Sequence, residues 1–283
     1  MSKEKQLFKF VKAGNLEEIN KLIEEGVEID TADMKGLTPL ILAVKQVNIP
    51  VVEMLIQRGA DINKGDNEGK TPLYWAIDKN NLPLVESLLS KGADVNKPDN
   101  KGNTVLGFAT YNEALEIVNA LINAKADINK VGENGVTPLS FASYFGNDSI
   151  VELLLKQPNI DVNKAGVNGT TPLMSASNNG HESTVEMLLK HGANINDRDK
   201  NGETAITVAP NENISELLEK YKNRQDKVVM TDVMLTNLNM GHALDADSKQ
   251  DLYEFMGGLK RRKSNKRRKT KKRRRKTVKK QRK

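Results

Sequence analysis

One glycine recurs along this chain at nearly constant spacing, and that limits the architecture more than any other feature. Gly36, Gly69, Gly102, Gly135, Gly169 and Gly202 lie 33, 33, 33, 34 and 33 residues apart. A period of that length belongs to stacked supersecondary units, each unable to bury its apolar face alone, and not to one globular core.

The unit from Asp66 to Pro98 shows the local chemistry most plainly. Asn67-Glu68-Gly69 is a polar turn in which the glycine meets a need for positive φ. Thr71 follows as a capping residue, and Pro72 suits the first helical position because it has no N–H to satisfy. Leu73, Ala76 and Ile77 recur at helical spacing. After Asn80-Asn81-Leu82, Pro83 can start a second helix bearing Val85, Leu88 and Leu89 on one face, with Gly92 closing it in a left-handed conformation. Helices of about two turns are well below the roughly 12–15 residues an isolated helix needs in water, so each pair depends on its neighbours for cover.

The two phrases Gly-x-Thr-Pro-Leu-x-x-Ala and Leu-Leu-x-x-Gly-Ala-Asp-Val-Asn at this pitch resemble the ankyrin repeat over about residues 1 to 222. The resemblance implies an all-α solenoid of about seven stacked helix pairs that binds other proteins on its concave side. The units are expected at residues 1–32 (an N-terminal cap), 33–65, 66–98, 99–131, 132–165, 166–198 and 199–222 (a C-terminal cap). Residues 223–259 read as a linker with transient helices, and residues 260–283 as a disordered basic tail. A sharper alternative for the linker is a partner-binding motif at Asp251-Leu252-Tyr253-Glu254-Phe255-Met256.

Several units depart from the pattern. In the fourth, Val105 stands for the proline and Lys125 for the helix-closing glycine; a left-handed lysine costs about 1 kcal/mol, so this unit is expected to be weaker or to end its helix differently. In the longer fifth unit, Asn159 is expected to supply the left-handed residue. The last unit is shortened, with Pro210 inside its first helix.

Charge divides the chain in two. Of its 44 Lys+Arg, 18 lie in residues 260–283, which hold no acidic residue; the other 26 face 37 acidic residues, a net charge of −11. The tail basics include Lys260, Arg261, Arg262, Lys263, Lys266, Arg267, Arg268, Lys269, Lys271, Lys272, Arg273, Arg274, Arg275 and Lys276. Such a run can serve nuclear import through an import receptor, or bind a phosphate backbone. Anchoring to acidic membrane is not expected, because no lipidation motif is present: residue two is Ser2 and the last four residues hold no cysteine. Ser264, Thr270 and Thr277 each follow an Arg-Arg-Lys triplet, as in substrates of basophilic kinases, and phosphate there would subtract roughly 1.5–2 charges. No aromatic interrupts the run, which argues against base stacking.

Enzyme signatures are not found, and no cofactor or metal is expected. There is no cysteine for a thiol nucleophile or metal site. Gly65 to Thr71 imitates a phosphate-binding loop but has three residues between its glycines where four are required. Asp197 to Asn201 imitates a calcium loop whose twelfth position is Val208 instead of glutamate. His181 and His191 stand where the repeat commonly has histidine, and His242 has no ligand partner at metal spacing. With no apolar signal core at Met1 to Lys5 and no long apolar run, an intracellular, monomeric protein in nucleus or cytoplasm is expected, not a secreted or membrane one.

In the ankyrin family, partners touch residues flanking the turn glycine and the exposed end of the first helix. The latter correspond here to Lys45, Gln46, Asp78, Lys79, Tyr111, Asn112, Tyr144, Phe145, Asn178 and Asn179; the former include Met34, Glu68, Val136 and Val167. Three of the chain's twelve Phe, Tyr and Trp residues, Tyr111, Tyr144 and Phe145, fall together in that set, which makes them the best candidates for a protein-binding patch. Trp75, Phe108 and Phe141 share the register of Leu42 and are expected in the core.

Overall fold

The computed structural model describes residues 2–133 and 135–224. The described residues up to Glu219 make one compact unit. The described residues are helices and turns, with no strand among them.

Six helix pairs follow one another: α1 (Lys3–Ala13) with α2 (Leu16–Glu24), α3 (Pro39–Lys45) with α4 (Ile49–Gln57), and α5 (Pro72–Asp78) with α6 (Leu82–Ser90). Next come α7 (Val105–Tyr111) with α8 (Leu115–Asn123), α9 (Pro138–Phe145) with α10 (Asp148–Leu155), and α11 (Pro172–Asn178) with α12 (Glu182–Lys190). Residues 212 to 224 are helical as well. Each helix packs on its partner, and the first helices pack in an unbroken row from α1 to α11. The stack is the all-α solenoid the period demands.

Capping explains where the first helices begin. Thr38, Thr71, Thr104, Thr137 and Thr171 each accept a hydrogen bond from the backbone N–H three residues on. Proline follows at the first helical position in all but α7, which starts at Val105. Second helices are capped by Asn15, Asn48, Asn81 and Asn147, a signal in plain view between the two helical patterns. Each unit buries its own short apolar row, such as Leu73, Ala76, Ile77, Leu84, Val85 and Leu88 in the third.

Neighbouring units are also tied by polar ladders. Lys64, Lys97 and Lys130 donate through Nζ to the carbonyls of Asp30, Asn63 and Asn96, at 2.9, 2.7 and 3.0 Å. The same Asn63 and Asn96 accept the N–H of Asp94 and Asp127 through their side-chain oxygens, both at 2.8 Å. At the turn edge, Asn67 and Asn100 donate their backbone N–H to Lys35 and Glu68 of the preceding unit, at 3.1 and 2.9 Å.

Of the two outcomes expected at Lys125, the left-handed one is found: it adopts φ +68° and closes α8 in the way Gly92, at +92°, closes α6. Three other details differ from the sequence expectations. Asn159 is not left-handed. The extra residue of the fifth unit lets the chain leave through a turn with Pro158 at its second position and Ile160 N–H bonded to Gln157 O, so no positive φ is needed. In the last unit the first helix is reduced to a turn over residues 205–208, and Pro210 lies beyond it. Finally, Trp75, Phe108 and Phe141 are half-buried and not core residues, because the fourth position of a two-turn first helix lies at the margin of the buried face.

Candidate protein-binding face

The exposed ends of the first helices are brought to one side of the stack by the repeat itself. Position seven of each is Lys45, Asp78, Tyr111, Tyr144 and Asn178 in successive units; position eight is Gln46, Lys79, Asn112, Phe145 and Asn179. Lys45 and Phe145 are half-buried and the other eight exposed. Tyr111 and Tyr144 are 54% and 52% exposed, values that set them apart from the buried rows beneath.

Aromatic contacts join these ends to the fourth position. Tyr111 lies edge-on to Phe141 at 5.8 Å and to Phe145 at 5.6 Å, and Tyr144 meets Phe145 at 5.1 Å. Toward the other end, Tyr74 stacks on Phe108 at 4.2 Å and meets Trp75 edge-on at 5.8 Å. The patch therefore extends beyond the three residues picked out by exposure. Trp75, Phe108 and Phe141 belong to it, and the sign available in the sequence was their repetition in one register.

The third unit supplies charge around these rings. Trp75 donates its Nε1–H to Asp66 Oδ2 at 3.1 Å, while Asp66 Oδ1 accepts from Glu68 and Lys70 N–H, so one carboxylate sets both the turn and the indole. The ammonium of Lys45 sits 2.9 Å from the Trp75 ring centre. Burial, followed by the nearby Lys79 charge, holds its pKa below the ordinary lysine value. Lys70 is raised instead, chiefly by its hydrogen bond to Glu68, with Nζ and Oε2 2.7 Å apart. Lys79 pairs with Asp78 at 3.3 Å.

Beyond Tyr111 the face changes to an uncharged groove of about 310 Å³. Tyr111, Phe141, Tyr144, Phe145, Val136 and Val167 supply most of its apolar wall, and Ser140, Thr170, Ser175, Asn168 and Gly166 complete it. Val167 is 53% exposed at the rim. An apolar concavity with a few hydroxyl and amide groups can receive an uncharged side chain and bond to its backbone.

A family model described as ankyrin repeats in three copies matches residues 7–99, 96–165 and 158–228. The chain belongs to the ankyrin-repeat family. It is similar to the crystal structure of the ankyrin repeat domain of Bcl-3, described as a unique member of the IkappaB protein family. That domain is 30% identical, the match covers 75% of this chain and 97% of the Bcl-3 chain, and the TM-score is 0.69. No curated protein sequence matches significantly. The ankyrin repeats and this likeness support a protein–protein interaction scaffold, a fold that is typically non-enzymatic.

Among the described residues, no helix is long and apolar enough to cross a membrane, and no group of three or more His, Asp or Glu is placed to hold a metal ion. Asp66 to Thr71, which imitates a phosphate loop in sequence, is an inter-repeat turn. His181 is structural: its Nε2 bonds to Tyr144 O at 2.9 Å across the repeat boundary. Asn134, His242, the motif at Asp251 to Met256 and the tail candidates from Lys260 to Lys283, with Ser264, Thr270 and Thr277, lie outside the described residues.

Proposed function

We propose that this protein is a non-enzymatic scaffold whose first-helix face captures a protein partner, while the polybasic tail directs the assembly to the nucleus or tethers it to nucleic acid. The observation that carries the reading is the meeting of Tyr111, Tyr144 and Phe145 at the exposed helix ends beside an uncharged groove. Large aromatic rings at such a place are the side chains that dominate interface energetics. Lys45, Gln46, Asp78, Lys79, Asn112, Asn178 and Asn179 would form the polar surround on the same face.

Affinity capture from cells with the full chain, compared with the Tyr111→Ala, Tyr144→Ala, Phe145→Ala triple variant, tests the capture role. Partner recovery should collapse while the helical circular dichroism persists; unchanged recovery by a folded variant rejects it.

The tail reading rests on 18 basic residues with no acid among residues 260–283. Fused to a fluorescent protein, this segment should concentrate in nuclei, and a wholly cytoplasmic signal counts against import. A second reading makes the tail primary, as a nucleic-acid-binding or packaging element. DNA affinity falling steeply with salt and surviving removal of residues 1–222 is its signature, because each neutralised phosphate contributes about −0.9 to the slope of log K on log salt.

A further inference from the structure

The groove exists because one element of a repeating pattern is missing. Position seven of a first helix faces the fourth-position side chain of the next unit. Lys45 lies over Trp75 in this way, and Tyr111 lies against Phe141. One unit further on, the residue opposite Tyr144 in this register is Ser175, where Trp75, Phe108 and Phe141 stand in the units before. A hydroxymethyl group replaces a ring, and the space left over is the concavity bounded by Tyr144, Phe141 and Ser175. Tyr144 makes its ring contact with Phe145 of its own helix instead.

Building on the protein-capture reading above, we infer that the groove is an anchor site for one aromatic side chain of an uncharged peptide segment in the partner, which takes the place of the absent ring. Three properties select that occupant. The wall contains no ionisable acid or base other than the phenols, so a charged anchor would lose its hydration with no counter-charge in return. The volume of about 310 Å³ lies at the small end of the roughly 300–1,000 Å³ found for ligand pockets, which suits one large side chain with its adjoining backbone. The ring edges and faces of Phe141 and Tyr144 offer an incoming aromatic the edge-to-face or offset contacts that rings prefer. Asn168, Thr170 and Ser175 at the wall then provide polar groups for the peptide backbone.

The test is to supply the missing ring from within. Peptides are selected from a random phage-displayed library on the full chain, and their affinities are measured for wild type, Ser175→Phe and Ser175→Leu. The leucine variant copies Leu42 of the second unit and serves if phenylalanine disturbs folding, which circular dichroism reports. Selected peptides should share an uncharged stretch with one invariant Trp, Phe or Tyr, and lose at least ten-fold in affinity to both variants. Replacing that invariant residue by alanine should cost a similar factor. Peptides lacking an aromatic, or bound equally well by the Ser175 variants, overturn the inference. If such peptides still fail to bind the Tyr111, Tyr144, Phe145 triple variant, the face as a capture surface stands and only the anchor is lost; if they bind it as well, both fall. Concentration-dependent dimerisation of the wild type, abolished by Ser175→Phe, would assign the groove to a second copy of the chain and overturn the peptide occupant.

Discussion

Exchanging glycine and non-glycine residues at the ends of two second helices isolates the conformational cost of a single residue. Lys125 holds φ +68° at a position where the third and sixth units have Gly92 and Gly192, at +92° and +87°. A left-handed residue with a side chain costs roughly 1–2 kcal/mol. Replacing Lys125 by glycine removes that cost but returns roughly 0.5–1 kcal/mol through the greater freedom of the unfolded chain. The polar contact at this site is to the backbone carbonyl of Lys125, which accepts from Asn96 Nδ2 at 3.2 Å, so it survives the exchange. Lys125→Gly should therefore stabilise by about 0.5–1 kcal/mol. With a urea m value near roughly 3 kcal/mol/M, the unfolding midpoint should rise by about 0.2–0.3 M. The reciprocal change, Gly92→Ala, meets no atom within 4 Å of the new Cβ, so its expected loss, by the same two terms about 0.5–1 kcal/mol, is purely conformational. Urea titrations followed by circular dichroism at matched protein concentration read both. A midpoint that falls for Lys125→Gly, or stays put for Gly92→Ala, refutes the assignment of strain to this backbone position.

Other changes are equally specific. Ser143 and Ser177 are fully buried with hydroxyls that find no partner, so Ser143→Ala and Ser177→Ala should each stabilise by about 1 kcal/mol, visible as a melting temperature higher by about 2–4 °C. In Gly146→Ala the new Cβ runs into the His181 ring at a residue with φ +67°, and the loss of about 2–3 kcal/mol should come with loss of protection at the Tyr144–His181 boundary in hydrogen exchange. Acylation of amines followed by mass spectrometry should show Lys45 reacting at lower pH than Lys70, since burial lowers the first pKa and the Glu68 hydrogen bond raises the second; the reverse order would contradict the geometry around Trp75. The same signs apply to stability: charged Lys45 costs stability, and that cost is relieved as pH rises through its lowered folded pKa. The contribution of Lys70 is present below its unfolded pKa and lost as pH rises through its raised one.

Much of this architecture is legible because the repeat requires particular residues where the backbone is unusual. Thr71 before Pro72, Gly69 in its turn and Gly92 past the helix each announce a local conformation, and their recurrence announces the stack. What stays hidden is positive φ on residues that carry no such mark. Val47, Asn80 and Glu113 are left-handed between paired helices, where Gly14, Gly146 and Gly180 stand in other units; the short connection imposes the geometry whichever residue occupies it. Asn159 shows the converse, since a residue suited to that conformation does not adopt it once Pro158 sets up another turn. At the candidate site, exposed Tyr111 and Tyr144 follow from helix position alone. The groove does not, because it is made by Ser175, whose meaning lies in comparison with the ring one unit earlier.

The lysine and asparagine ladders carry an implication for how such a chain changes length. Lys97 grips Asn63 as Lys64 grips Asp30 and Lys130 grips Asn96, each across 34 residues, so the joint between two units is largely the same wherever it is cut among the first four. Recombination that removes or duplicates a whole unit regenerates that joint, and the shortened or lengthened stack can close without new contacts being invented. A deletion of any other size leaves the Nζ group of a lysine with no carbonyl in reach. Tyr144 and Ser175 form the opposite kind of boundary, one that occurs once, and an exchange passing through it would erase the groove while leaving the fold intact.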